Sequence, residues 1–311
     1  MISGRNVMEK AGKSISWLSA FVTIAACIGI ILFFLLNGIG EINLEFLTTE
    51  PIASTRADVG GGISTPFFGT LLLTLVGICF ALPWALGTAI YLSEYAKKNV
   101  MVSFFRTAID VLAGVPTIVI AIMGVAVFSL PQLGFLSSMV EGTSANKAFG
   151  RSFLVAGFTM AMMILPYIIK TCEEAIKTVP ETFKEASLAL GASKWHTIVK
   201  VVLPSAKNGI ITAIILGMGR IIGDTAIVWL CLGGTLRMTG VQPWFSPENW
   251  MSTVQNTGST LTSYIYFMSP AGEGNMTEKA MGASLILIIL IVVLNLLTDV
   301  IGNINKSVME E

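Results

Sequence analysis

Arg220 and Asp224 stand one helical turn apart in the run Gly219-Arg220-Ile221-Ile222-Gly223-Asp224-Thr225-Ala226, and they are the only charged residues between 208 and 232. A charge near the centre of an apolar helix costs about 2.5 to 3.5 kcal/mol in lipid, so each must find protein, water or a partner. Two chemistries suit the pair. In the first, Arg220 and Asp224 form an i,i+4 ion pair that fixes helix packing, while Gly219 and Gly223 admit a second helix closely. In the second, the guanidinium, charged at any working pH, offers its planar fork of donors to an oxyanion. Asp224 then steadies the arginine and tempers its attraction, with Thr225 beside it, so that the anion is not trapped.

The surrounding composition says what must position these residues. The chain is 54% hydrophobic and 12% charged with a mean hydropathy of +0.78, which describes a polytopic membrane protein with an all-α fold. Apolar runs long enough to cross about 30 Å of hydrocarbon fall at about 17–36, 66–92, 109–130, 152–169, 208–232 and 282–301. Six spans place both termini on one side. That side holds 13 of the 19 Lys and Arg, six of them between Lys170 and Lys207; the other side holds Arg56, Lys147, Arg151, Arg237 and Lys279. Positive residues accumulate on the cytoplasmic face, so both termini are expected there. A lipoprotein signal at Ile24-Ala25-Ala26-Cys27 is the weaker reading of the first run, because Ile28 to Leu36 continue it without a polar stop.

One polar insert interrupts the greasy pattern. From about Thr171 to Val202 the chain is rich in Ala, Leu, Glu and Lys, with Pro180 as a break, and reads as helix, turn, helix. Phe183, Ala186, Ala189 and Leu190 fall on one apolar stripe, and Gly191 ends it. Periodicity alone leaves two readings: a rigid knob gripped by a soluble partner, or a helix lying on the headgroups.

Glu185-Ala186, then Gly191, then Val201-x-Leu203-Pro204 resembles the cytoplasmic coupling loop of ABC importer permeases, with Ser187 and Val201 as mild departures. The resemblance extends over about 60–302. Gly60-Gly61-Gly62-Ile63, Gly69 to Thr74, Tyr91-Leu92-Ser93-Glu94-Tyr95-Ala96 and Asp110 to Val119 look like the permeases of the phosphate-specific (Pst) importer, PstA type first and PstC type second. Gly219 to Ala226 resembles that family's R-x-x-G-E-T-A signature, with Asp224 where Glu is usual, and Ile227-Val228-Trp229-Leu230 departs from the family's Pro-Leu-Leu run.

The resemblance implies a type I ABC importer permease: a five-helix core plus one N-terminal span, in a multi-pass chain of a bacterial or archaeal plasma membrane. Residues 1–62 would hold a cytoplasmic segment, the first span and an external loop; 63–303 the permease domain; 304–311 a cytoplasmic tail. It implies a translocation path at Arg220, Asp224 and Thr225, and ATPase coupling through Glu185, Ala186, Gly191, Leu203 and Pro204. The implied partners are a second, PstC-like permease, two ABC ATPase subunits carrying ATP and Mg, an external phosphate-binding protein and the bilayer. Phosphonate, sulfate or molybdate permeases share the coupling loop, so the ion stays open, as does a non-transport scaffold.

Other features exclude more than they assign. No G-x-x-x-x-G-K-[ST] or H-E-x-x-H occurs, so no nucleotide or hydrolase site, no catalytic residue and no cofactor is expected in this chain. Zero net charge gives no reason to expect nucleic acid. Cys27, Cys79, Cys172 and Cys231 lack metal or disulfide spacing and read as buried thiols, and the lone His196 has no second ligand nearby. Asp110 reads as a helix cap or a lining of the cytoplasmic exit. Pro83, Pro116 and Pro166 read as kinks or as gating hinges. The segment Gly233 to Met281, with Trp244, Phe245 and Trp250, is expected as an external loop that rests on the membrane surface or, with the loop Glu41 to Asp58, receives a binding protein.

Overall fold

A computed structural model describes residues 2–52, 61–97, 99–138 and 149–307. Arg56, Asp58 and Gly60, with Lys98 and Lys147, lie outside them, as do 308–311 of the expected tail. In chain order the helices are Ile2–Gly38 (α1), Leu44–Thr48 (α2), Ser64–Ile90 (α3), Val100–Gly114 (α4), Thr117–Phe128 (α5), Phe153–Lys177 (α6), Glu181–Ala189 (α7), Lys194–Thr197 (α8), Leu203–Ser205 (α9), Lys207–Gly223 (α10), Trp250–Gln255 (α11), Leu261–Met268 (α12) and Thr277–Ser307 (α13). Four helices are long and apolar enough to cross a membrane, six if each of two bent pairs is one span.

Two breaks correct the expected pattern, because hydropathy does not register a break. The run 109–130 is two helices: Val115 is extended, Pro116 precedes Thr117, and α4 and α5 diverge by 101°. The ring of a proline drives the residue before it out of helical geometry, which is why the turn falls there. The run 208–232 also stops midway. α10 ends at Gly223, Asp224 is extended, and a wider helical turn resumes at Val228–Leu232. Pro83 and Pro166, by contrast, sit inside unbroken α3 and α6.

Apolar helices gain little from packing against one another rather than lipid, so contact depends on close backbone approach at small residues. α3, α6 and α10 meet this way. A Cβ on Gly157 of α6 would lie 2.4 Å from Val76, one on Gly77 of α3 2.7 Å from Ile221, and one on Gly209 of α10 2.3 Å from Ala175. Gly219 and Gly223 behave differently: nothing lies within 4 Å of a Cβ on either, so this spacing admits no helix of the same chain.

The segment between α10 and α13 is not simply a loop. Residues 257–264 are buried, and α12 packs on α3 and α13. Gly69 permits this, since a Cβ there would lie 1.9 Å from the Ser259 carbonyl oxygen. The Thr70 hydroxyl accepts the Leu261 N–H at 2.9 Å, and a Thr260–Ser263 capping box satisfies the first turn of α12. Hydroxyls thus satisfy backbone groups that water would otherwise serve. Trp244 stacks near Phe68 while Phe245 and Trp250 stay exposed.

α1 packs on α13 near its end, where Gly38 lies under Met281 and Leu285. Its apolar stretch is not buried by the rest of the chain. Cys172 and Cys231 are buried as expected, but Cys27 and Cys79 are exposed on the flanks of α1 and α3.

Candidate translocation site and coupling surface

Arg220 sits in the last turn of α10 and makes no ion pair with Asp224; the ion pairs among the described residues all lie elsewhere. Its guanidinium carbon lies over the Tyr167 ring of α6, 4.0 Å from the centroid, while the residue remains open to the outside of the chain. Stacking on an aromatic face holds a guanidinium without neutralising it, and its in-plane donors stay available. Tyr167 is itself fixed, because its hydroxyl donates to the Ala113 carbonyl at 3.0 Å, at the end of α4.

Asp224 has a different task from the ion pair the sequence suggested. Its Oδ1 accepts the Ile227 N–H at 2.8 Å, which caps the helical turn beyond the break. The Thr262 hydroxyl donates to the Asp224 carbonyl at 3.2 Å, tying the break to α12. Thr117, first residue of α5, is a further neighbour of the carboxylate. Thr225 is half-buried within the break, and its carbonyl accepts the Trp229 N–H at 2.9 Å.

Two helix breaks therefore meet at one place, with Tyr167 between them and Arg220 above it. Broken helices present unpaired backbone ends at a depth where lipid offers none, so they occur where protein or a water-filled cavity covers them. The sequence singled out Arg220, Asp224 and Thr225. It missed Tyr167, which is 53 positions from Arg220 and carries no local signal beyond its place beside Pro166.

The insert folds as a short helix, a turn and a second helix. Pro180 starts α7, and Gly191 stops it at φ +83. The Gly191 N–H reaches the Leu188 carbonyl at 2.9 Å and the Ala192 N–H the Ser187 carbonyl at 3.3 Å, a Schellman closure whose left-handed residue favours glycine. Nothing in α7 is buried: Glu185, Ala186 and Phe183 are exposed, and Leu190 is 90% exposed. Leu203 and Pro204 are half-buried where α8 and α9 bend 69° into α10.

Lys184 is the exception on this surface, turning inward to Glu94 at 2.7 Å. Burial would lower its amine, but hydrogen bonds to Glu94 and Glu181 outweigh that and hold it above its ordinary value. Nearby, Glu173 of α6 pairs with Arg106 at 2.6 Å and Lys177 at 2.7 Å. Asp110 caps nothing; it lies near the end of α4 and pairs with Lys170 at 2.5 Å.

At the opposite end, the segment after α10 grips the stretch before α3. Arg237 donates to the Pro51 carbonyl at 2.9 Å, Lys279 to the Gly61 carbonyl at 3.1 Å, and Pro51 pairs with Gly61. The two regions expected to act together as external loops are thus one joined surface.

Residues 81–308 match the family described as binding-protein-dependent transport system inner membrane component. The probable ABC transporter permease YqgI of Bacillus subtilis is 30% identical over 301 residues, covering 96% of each chain. The phosphate transport system permease PstA 1 of Mycobacterium tuberculosis is 32% identical over 236 residues, 76% of this chain and 69% of that one. Among solved structures, the inward-facing MetNI methionine ABC transporter matches with a TM-score of 0.53 at 19% identity, over 76% of this chain and 92% of that one. That likeness concerns the fold, and it is the all-helical type I importer permease fold. The chain belongs to the binding-protein-dependent inner membrane permease family and is a multi-pass membrane subunit of an ABC importer.

Proposed function

We propose that this chain is the PstA-type permease of an ATP-driven phosphate importer, with Arg220 offering its donors to phosphate as it passes. One observation carries the reading. Arg220 is held on Tyr167 where two helix breaks meet, in no ion pair among the described residues and with only a longer-range attraction to Asp224. A buried structural arginine would have its carboxylate; a transport arginine needs a partner that comes and goes. The kinship with PstA 1 favours phosphate over other oxyanions.

The path is completed by Asp224 and Thr225. The face of α10 bearing Leu216, Gly219 and Gly223 is bare of this chain's own packing and suits a second, PstC-like permease. Glu185, Ala186, Gly191, Leu203 and Pro204 belong to the surface that engages one of two ABC ATPase subunits, which carry ATP and Mg. The joined surface around Arg237 and Lys279 receives an external phosphate-binding protein. Each bent pair is one span, giving six, with both termini cytoplasmic, a permease domain at 63–303 and the complex in the plasma membrane.

The test is ATP-driven uptake of radiolabelled phosphate into proteoliposomes holding the copurified complex, with binding protein supplied and unlabelled sulfate and molybdate as competitors. Uptake is expected to be blocked by unlabelled phosphate alone. No phosphate uptake from a complex that still hydrolyses ATP would discard the phosphate assignment.

A further inference from the structure

Three contacts from the insert land on two adjacent residues at the end of α3. Lys184 of α7 meets the Glu94 carboxylate at 2.7 Å, with the two side chains only 12% and 10% exposed. Across Gly191, Lys194 of α8 donates to the Glu94 carbonyl and stands 4.8 Å over the Tyr95 ring. Ser187 and Thr197 close the two halves of the insert on each other, their hydroxyls 2.9 Å apart. Glu94 lies in the widened helical turn Tyr91–Tyr95 that continues α3, and Arg106 of α4 donates to the Leu92 carbonyl in the same turn.

A nine-residue helix that buries nothing does not hold itself in one orientation; its direction must come from tertiary contacts. From this arrangement we infer that Glu94 is a positioning residue, a latch that makes the insert and α3 move as one body. The consequence follows along α3. It runs unbroken from this turn to Thr70, which holds the start of α12, and α12 in turn holds the Asp224 carbonyl through Thr262. A displacement at the insert thereby reaches the break beside Arg220 through helices and hydrogen bonds alone. The inference rests on the insert being the ATPase-coupling element, and its test separates the two.

The variants are Glu94→Gln, which keeps shape and removes charge, and Lys184→Met, which removes the amine from the other side, alone and combined, in the full complex. Spin labels on cysteines placed at Leu188 of α7 and Trp84 of α3, both exposed, report the distance between insert and rod once Cys27 and Cys79 are replaced by alanine. Wild type is expected to show one narrow distance without nucleotide and with ATP trapped, and either variant a broadened one. Binding-protein-stimulated ATP hydrolysis should fall on the order of tenfold in each single variant, the scale of one lost charge-assisted hydrogen bond, and no further in the double variant. A narrow distance in Glu94→Gln overturns the latch whatever the hydrolysis shows. A broadened distance with undiminished hydrolysis leaves the latch standing and overturns the coupling role of the insert.

Discussion

The charges near Arg220 and the charges at the insert end of the bundle are built on opposite plans. At the insert end the acids that face the bundle have cations: Glu94 has Lys184, Glu173 has Arg106 and Lys177, Asp110 has Lys170. Arg220 instead has an aromatic ring, and the carboxylate one turn away is occupied in capping a backbone N–H. Pairing makes a charge structural by saturating it. Stacking orients a charge and leaves it to be used.

The largest effect should therefore come at Arg220. Arg220→Gln is expected to lower phosphate uptake on the order of a hundredfold, since a bidentate charged contact is lost, while the complex still copurifies. Arg220→Lys keeps a point charge without the fork and should fall between the two. Uptake in reconstituted vesicles reads both. Loss of the complex in Arg220→Gln would place Arg220 on the structural plan after all, and uptake near the wild-type rate would make it structural or dispensable.

How far this contrast was legible in the sequence depends on distance along the chain. The all-helical class, the apolar runs and the insert were plain, because composition and periodicity are local. The pair Arg220 and Asp224 was visible too, but i,i+4 spacing suggested an ion pair. Asp224 after Gly223 is equally a helix-start signal, and that signal prevailed once α10 stopped at Gly223. Tyr167 could not be found, since only the tertiary fold brings α6 under α10. The buried stretch around Thr257 to Ser263 was read as loop because Ser and Thr lower its hydropathy. The Ser263 hydroxyl, with that of Thr70 from α3, is what allows it to be buried.

A second, smaller effect probes the paired plan at its most buried member, Glu173, whose side chain is 9% exposed. The asymmetry of desolvation gives an unusual ranking. Removing the acid with Glu173→Gln leaves Arg106 and Lys177, both substantially exposed, free to hydrate, at a cost of about 1 kcal/mol. Removing both cations with Arg106→Ala and Lys177→Ala strands a buried carboxylate and should cost about 3 kcal/mol or more. Thermal unfolding of the purified complex compares them, and a double variant as stable as Glu173→Gln would contradict the ranking.

The smallest effect belongs to Asp110, and its smallness is informative. Its pair with Lys170 leaves the two side chains 61% and 46% exposed, so water screens most of the attraction. Such pairs contribute about 0 to 1 kcal/mol, and Asp110→Asn should shift the melting temperature little and leave uptake within about twofold of wild type. The same residue was also open to reading as a lining of the path's exit, and that alternative predicts the reverse: uptake falling steeply with stability unchanged. Measuring both quantities on the one variant decides between them. A steep fall would mean that a charge can be paired in the resting chain and still serve the transported ion, and pairing alone would then no longer separate structural charges from working ones.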